Sequence, residues 1–540
     1  MTIQRVLTDI SGYALPAYTF TRSSSGYQID SDGVLRLKST DQLRIDYLDL
    51  DNDGQRETPS IVQEAGSTNK FTQSRVFSHS TWVKSAATVE ADLAAAADLS
   101  TGGDLLVPST VSTLHSVRQD VSLAASTDHA LSVYASPGGY SFLTLRLLNS
   151  SGNNGAAAHF ALSSSGTVVD STTLGTGIHR RSRIDRIRPG VYRCALVGSV
   201  STSTGVEGYF YVAQTSSQML ASWVGAGSSG ALGVLLWGGQ IEEAMPAETS
   251  LMASVATSTS RAAETLYIPF PYTPRPMTVY VRMREDDAVG LAGQPYILDI
   301  TSAGNGSPRL ELYRNATDGY TAIHNNGTVA VTSAVTPPSS PTYSVVELRI
   351  ELHPDGSVRV GFAVDAGAET LGAQSAGAAL AAAWAAQRLY LGSAGGTAPG
   401  NARFLKVAVA EDVQSMAYMR SLAPFFVIDG IAIPVAEGSV REEVLEVGDR
   451  DRTFDGSLRE TIRSRVSIWK AETVPLSVGD RNRAVTALQR STQPSQVYGA
   501  MCRTSTGLLP AVFTRVGEEA LVQSSTERRY AISFTAEQSS

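Results

Sequence analysis

Residues 345–364 read VVELRIELHPDGSVRVGFAV, and their apolar positions repeat every second residue. Val346, Leu348, Ile350 and Leu352 share one face of an extended chain, while Glu347, Arg349 and Glu351 share the other. His353-Pro354-Asp355-Gly356 supplies a turn, after which Val358, Val360, Phe362 and Val364 come back on a single face. A period of two is the spacing of a strand, not of a helix. The pattern predicts a hairpin with one buried side and one charged, solvated side. Shorter stretches of the same alternation, bounded by Gly, Ser, Asn, Asp and Pro, recur along the chain, which predicts a mainly all-β protein. Charged residues make up only 17% of the 540 residues, below the usual quarter, and 47 glycines help fill the difference. That balance suits many short strands with polar turns; it does not suit a coiled coil or a disordered chain.

Punctuation divides the chain. Residues 1–60 read as an extended N-terminal segment, and 61–262 as a Ser/Thr/Gly-rich β unit. Pro269, Pro271, Pro274 and Pro276 make 263–276 a stiff linker, because proline fixes φ and lacks an N–H. A second β unit spans 277–425. It contains AGAALAAAWAAQ (376–387), a short helix or a loop packed by Trp384, and DVQSMAYMRSLAPF (412–425), a short helix stopped by Pro424. The last unit, 426–540, is denser in mixed charge and reads as long strands with a short helix over 480–491. No solenoid period is visible, which argues against a β-helix or a propeller. The expected architecture is tandem antiparallel β-sandwiches followed by a β-rich C-terminal domain with one or two short helices.

Several classes are disfavoured. A net charge of −8 gives no field to attract nucleic acid or an anionic membrane. Cys194 and Cys502 stand far apart, so no disulfide framework and no cysteine-based zinc site is implied. The opening MTIQRVLTDISG lacks a secretory pattern, and no apolar run is long enough to cross a bilayer, so a soluble chain made in a cytoplasm is expected. There is no Gly-Lys dipeptide for a phosphate loop, no His-Glu-x-x-His and no Gly-x-Ser-x-Gly, so the chain is read as a non-enzyme.

The blocks STWVKSAATVEAD, RPGVYRCAL, LLWGGQIEEAMPAETS and STSRAAETL follow one another after a long N-terminal stretch. In that order they resemble a module of tailed-bacteriophage virion proteins, a carbohydrate-binding jelly roll preceded by an extended segment. The usual Arg-Thr-Asn-Leu block is here Ser67-Thr68-Asn69-Lys70. MTVYVRM, YILDI, VELRIELHPDGSVRV, QRLYLGS and FLKVAVA resemble a laminin-G or concanavalin-like sandwich in pattern. IDGIAIPVAEGS, EVGDRDRTFDGSLRETIRSR and RRYAISFTAEQ look like domains of phage tail-tip and distal-tail proteins. These resemblances imply a structural virion protein of a tail tip, baseplate or tail fibre. It would be assembled in the host cytoplasm as a trimer or hexamer with other tail proteins, and its lectin-like domains would bind host surface polysaccharide. A glycan depolymerase and a purely architectural tail or head decoration protein are the alternatives.

Three sets of residues draw attention. Asp49, Asp51 and Asp53 stand at i, i+2 and i+4, followed by Gly54, with Gln55 and Glu57 close behind. This is the first half of a calcium loop, although Ser60 occupies the place of the bidentate glutamate. The other reading is an acidic loop built on Asx turns. Trp82, Trp223, Trp237 and Trp384 have flat faces suited to sugar rings, but large aromatics usually serve the core. Trp82 and Trp237 sit in alternating apolar patterns, which leaves Trp223 and Trp384 as the sugar-binding candidates. HRRSRIDRIRPGVYR (179–193) is the one basic cluster. Its charges read as an exposed strand face or a subunit contact in preference to an acidic-glycan site.

Overall fold

The computed structural model describes side chains for residues 18–420, apart from 51–55, 57, 202–203, 228–231, 269–275, 287–294, 302–307, 316–318, 337–344, 381–387, 395–399, 411–412 and 418. For Gln4–Asp9 and for the strands after residue 424 it describes backbone alone. The regular structure among the described residues is antiparallel sheet apart from Met416–Ser421, the one helix among them.

Two sheets form the first sandwich. The six-stranded sheet runs Thr167–Leu174, Gly155–Ala161, Phe142–Asn149, Gly205–Ala213, His115–Ser122 and Val83–Ser85 in spatial order. The facing sheet runs Ile178–Arg188, Val191–Ser199, Asp128–Gly138, Gly233–Glu242, Gly103–Pro108 and Ala87–Ala94, with the short strands Ser67–Asn69 and Thr259–Arg261 beside it. Alternation decides which side chains meet: Leu143, Leu145, Leu147, Ala158, Phe160 and Phe210 all enter one buried core. Trp82 is part of that core, with its ring 4.5 Å from Phe77 and 4.9 Å from Phe71.

The blocks that carry the sequence resemblance are polar staples of this sandwich. The Asn69 amide donates to the carbonyls of Gly239 and Met252 and accepts the N–H groups of Phe71 and Ile241. The Glu242 carboxylate accepts the N–H and hydroxyl of Thr249 and the amide of Gln240. Buried polar groups need such partners, so residue identity in these blocks is set by packing.

The second sandwich is built from both sides of the first in sequence. One of its sheets runs Thr370–Leu371, Val358–Val364, Val345–Leu352, Met277–Glu285, Ala402–Glu411, Thr58–Gln63 and Ile45–Leu48, and Gln4–Asp9 pairs with the far end of Ala402–Glu411. The other runs Thr19–Thr21, Thr265–Tyr272, Ala386–Leu391, Tyr296–Thr301, Arg309–Arg314, Tyr320–Asn325 and Ala330–Val335. Phe20, from the stretch read as an extended segment, and Ile61, from the start of the unit read as 61–262, join Leu298, Leu348 and Phe404 in one core. The first sandwich is therefore an insertion between Gln63 and Thr265 of the second.

The proline-rich stretch is likewise no free spacer, because Thr265–Tyr272 pairs with strands on both sides. Its register shifts between Pro269 and Tyr272, where a missing N–H interrupts the ladder.

The 345–364 hairpin forms in the expected register, with Val346 opposite Val364 and Leu352 opposite Val358. Its charged side is not solvated: Glu347, Arg349 and Glu351 are all buried. The segment leading into Met416–Ser421 covers it. Met416 and Met419 pack on Tyr280, Ala363 and Ala408, and Arg420 pairs with Glu347. Arg349 forks onto Glu369 at 2.7 and 3.0 Å. Of the Ala-rich run, 376–380 is irregular coil, 386–387 open the strand Ala386–Leu391, and 381–385, including Trp384, lie outside the described residues.

A buried network of arginines and carboxylates fills the junction between the sandwiches. Arg44 donates to Glu264, Glu64, the Ser250 hydroxyl and the Tyr27 carbonyl. Arg22 pairs with Glu264 at 2.8 Å, and Arg261 with Glu64 at 3.2 Å. The basic cluster belongs here too. Arg181 pairs with Glu248 at 2.7 Å, Arg183 with Asp286 at 2.6 Å, and Arg403 bridges Asp286 and Asp46. Arg181 and Arg183 on Ile178–Arg188 and Arg193 on the next strand are buried, so these side chains face the junction instead of solvent.

After the helix, a seven-stranded antiparallel sheet runs Ile431–Pro434, Phe425–Ile428, Ser495–Tyr498, Leu509–Gln523, Arg528–Gln538, Leu458–Glu472 and Arg441–Arg452. The helix expected over 480–491 lies outside the described residues.

Candidate functional site

Of the two tryptophans favoured for sugar contact, Trp223 is only 6% exposed. Its ring meets His115 at 4.8 Å and Tyr140 at 5.2 Å, both edge-on, and its carbonyl faces the His115 ring nitrogen at 3.0 Å. It closes one end of the first core and offers no free face to a ligand. Trp384 lies outside the described residues, as do Asp51, Asp53, Gln55 and Glu57 of the acidic loop; Asp49 alone of that set is described. Among the described residues no group of three or more His, Cys, Asp or Glu side chains is placed to hold a metal ion.

The outer face of the six-stranded sheet gathers the chemistry instead. Along Gly205–Ala213, Phe210 and Val212 point into the core, so Glu207, Tyr209 and Tyr211 lie on the opposite face, where Tyr209 is half-buried and Glu207 and Tyr211 are buried among their neighbours. Tyr209 lies directly across from Arg118 on one neighbouring strand and Arg146 on the other. The two tyrosine rings stack 5.2 Å apart at 14°. Arg118 lies over Tyr209 at 5.3 Å and Arg146 over Tyr211 at 5.2 Å, both within cation–π range.

Hydrogen bonds fix this ladder. Arg118 donates to Glu207 at 2.6 Å and to the Tyr209 hydroxyl at 2.7 Å, and that hydroxyl donates to Glu207 at 2.7 Å. Arg146 donates to the Tyr211 hydroxyl at 3.1 Å. Beside it, Phe142 stacks on His159 at 5.5 Å. The His159 ring is held by the Thr144 hydroxyl at 2.7 Å and the Thr215 carbonyl at 3.2 Å. Burial lowers the His159 pKa and raises those of Tyr209 and Tyr211. At neutral pH the imidazole and both phenols are uncharged, which suits recognition better than proton transfer.

Arg118 and Arg146 differ in what they have left to offer. Arg118 is engaged by Glu207. Arg146 has no carboxylate partner among the described residues, and its Nε makes no hydrogen bond. A guanidinium carries five N–H donors in a planar fork; the Arg146 Nε–H is buried, so the donors left for a bound oxygen-rich ligand are those of the terminal nitrogens that Tyr211 does not use.

Sequence reasoning passed over Tyr209 and Tyr211. The available signal was GYFYV (208–212), in which tyrosines at i and i+2 alternate with core Phe210 and Val212.

No known protein family and no curated protein matches the chain. Among solved structures it is similar to the receptor-binding domain of botulinum neurotoxin type G, at 6% identity and a TM-score of 0.22, over 50% of this chain and 80% of that one. It is also similar to the LG1-3 region of the laminin alpha2 chain, at 9% identity and a TM-score of 0.21, over 80% of this chain and 92% of that one. A third is a tail fibre protein from an E. coli phage, at 9% identity and a TM-score of 0.16, over 65% of this chain and 40% of that one. Superpositions this loose assign no ligand to the ladder.

Proposed function

We propose that the chain is a structural component of a tailed-phage particle that adheres to host surface glycan, with the ladder face of the first sandwich as the sugar-contacting surface. One observation carries the reading: Arg118, Tyr209 and Arg146, with the buried Tyr211 holding Arg146 in place, form a preorganised array of planar donors on an outer sheet face. Saccharides present dense hydroxyls and apolar C–H patches. Fixed forks match the first, and the half-buried Phe142 ring offers surface for the second. The ordered sequence blocks that resemble a phage carbohydrate-binding module support the same reading. A single open face of this kind binds weakly, so useful adhesion comes from copies in a trimer or hexamer rebinding at high local concentration.

The test is binding of the full chain to purified host surface polysaccharide, compared with Arg146→Gln. Losing a charge-assisted hydrogen bond costs about 1.5–3 kcal/mol, so affinity should fall roughly tenfold or more with the melting temperature held. Unchanged binding by a folded Arg146→Gln variant overturns the ladder as the site. Release of reducing sugar by the parent chain would replace adhesion with depolymerisation.

A further inference from the structure

The second sandwich presents an outer face with a related arrangement that the ladder reading does not use. Along Ala386–Leu391, Leu389 and Leu391 enter the core, so Arg388 and Tyr390 point outward. Across the neighbouring strand, Tyr267 pairs with Tyr390. The Arg388 guanidinium lies 4.5 Å from the centre of the Tyr267 ring and donates to the Tyr390 hydroxyl at 3.0 Å. The two rings stand 5.3 Å apart.

Charge on this face is partitioned. On the other side of Tyr390 stand Asp299 and, opposite it, Glu311. Both carboxylates are taken by Arg309. Arg388 makes no ion pair among the described residues and is half-buried, whereas Tyr390, which holds it, is buried. Arg388 thus repeats the state of Arg146: a guanidinium docked on a tyrosine, held by a tyrosine hydroxyl, with its remaining donors unspent. An arginine docked on an aromatic ring is held in one geometry, and a planar fork in fixed geometry is the best complement to a carboxylate.

We propose that this face is a second saccharide site and that it takes a carboxylate-bearing sugar, with the carboxylate on the Arg388 fork and the sugar ring beside Tyr267. The acids of the face do not repel such a ligand, because Arg309 already neutralises them in part and Arg388 lies on the side of Tyr390 away from Glu311. The class is set by the carboxylate, which uronic and sialic acids share.

The experiment titrates the full chain by calorimetry with a short oligogalacturonate and, in a second arm, with sialyl-lactose. Each is compared with its carboxyl-reduced or desialylated counterpart. The expected result is binding of at least one acidic ligand that falls about tenfold or more in Arg388→Gln, is partly kept in Arg388→Lys, and weakens with added salt. The arm that binds identifies the sugar. Arg146→Gln should leave this signal in place, so failure of the ladder reading and failure of this one are read separately. Equal binding of acidic and neutral forms, no binding of either acidic ligand, or an acidic signal untouched by Arg388→Gln overturns the proposal. The melting temperature of each variant, expected to match the parent because Arg388 makes no ion pair among the described residues, shows that a loss is not unfolding.

Discussion

Glu264→Gln keeps the shape of a fully buried side chain and removes its charge. The Glu264 carboxylate accepts Arg22 Nη1 at 2.8 Å, Arg44 Nε at 2.7 Å, Arg44 Nη2 at 2.8 Å and the Glu64 N–H at 2.9 Å. The side chains of Arg22, Arg44 and Glu264 have no exposure at all. In the variant Arg22 loses its one carboxylate, Arg44 is left to share Glu64 with Arg261, and the new amide nitrogen turns donors against donors. Breaking a buried pair on one side costs about 3–5 kcal/mol, mostly the uncompensated charge that stays behind. For a unit of this size each kcal/mol moves the melting temperature by about 2–4 °C, so the drop should be about 6–20 °C. The Arg36–Asp30 pair is the internal control: Arg36 is 54% exposed, and Arg36→Ala should cost under about 1 kcal/mol. Scanning fluorimetry reads the melting shift, and limited proteolysis reads whether 18–63 comes loose first. If Glu264→Gln melts with the parent, or no lower than Arg36→Ala, the junction does not hold the N-terminal strands in the way described.

Other expectations follow from the same packing. Gly356 has φ +74° in the 345–364 turn, and a Cβ there would meet the Ala378 carbonyl oxygen at 1.5 Å; Gly356→Ala should cost more than about 1–2 kcal/mol, read as a lower urea midpoint. Trp223→Ala should destabilise the first sandwich by about 3–5 kcal/mol by opening the cavity between His115 and Tyr140, while glycan binding per folded molecule stays unchanged. Burial alone would raise the carboxyls of Glu64 and Asp185, but Arg44 and Arg261 for the first, and Arg183 and Arg284 for the second, outweigh it and hold both well below the usual range. Their stabilisation is therefore complete above the unfolded carboxylate range near pH 4 and is lost as pH falls through it toward the folded values; acid titration of the melting temperature should be level just above that range and fall steeply below it.

Local patterns were legible and long-range partners were not. The strand period, the hairpin register and the turn at Gly356 follow from neighbours a few residues apart, and they stand as read. The helix over 412–425 is present but confined to Met416–Ser421. The insertion was invisible because Thr19–Thr21 finds its partner, and Thr58–Gln63 its second partner, only beyond residue 264. Glu347, Arg349 and Glu351 alternate like a wetted face, yet the segment that covers them arrives more than sixty residues later. The arginines of 179–193 carry the same ambiguity, since a run of charge does not say whether Glu248 and Asp286 or water will meet it. At the candidate site the tryptophans drew attention by size, whereas Tyr209 and Tyr211 matter through the face they share.

The chain leaves the second sandwich after Gln63 and re-enters it at Thr265, and the two crossing points are bonded to each other: the Glu264 N–H donates to the Glu64 carbonyl at 3.1 Å, and the Gln63 amide donates to the Glu264 carbonyl. A load pulling on the ladder thus divides between two covalent routes rooted in different sheets, each resisting as a sheared ladder of many hydrogen bonds. A head held by two adjacent roots resists swivelling in a way that one hung from a single strap does not. In the adhesive role proposed above, such twin anchorage would keep the gripping face aimed as the pull changes direction.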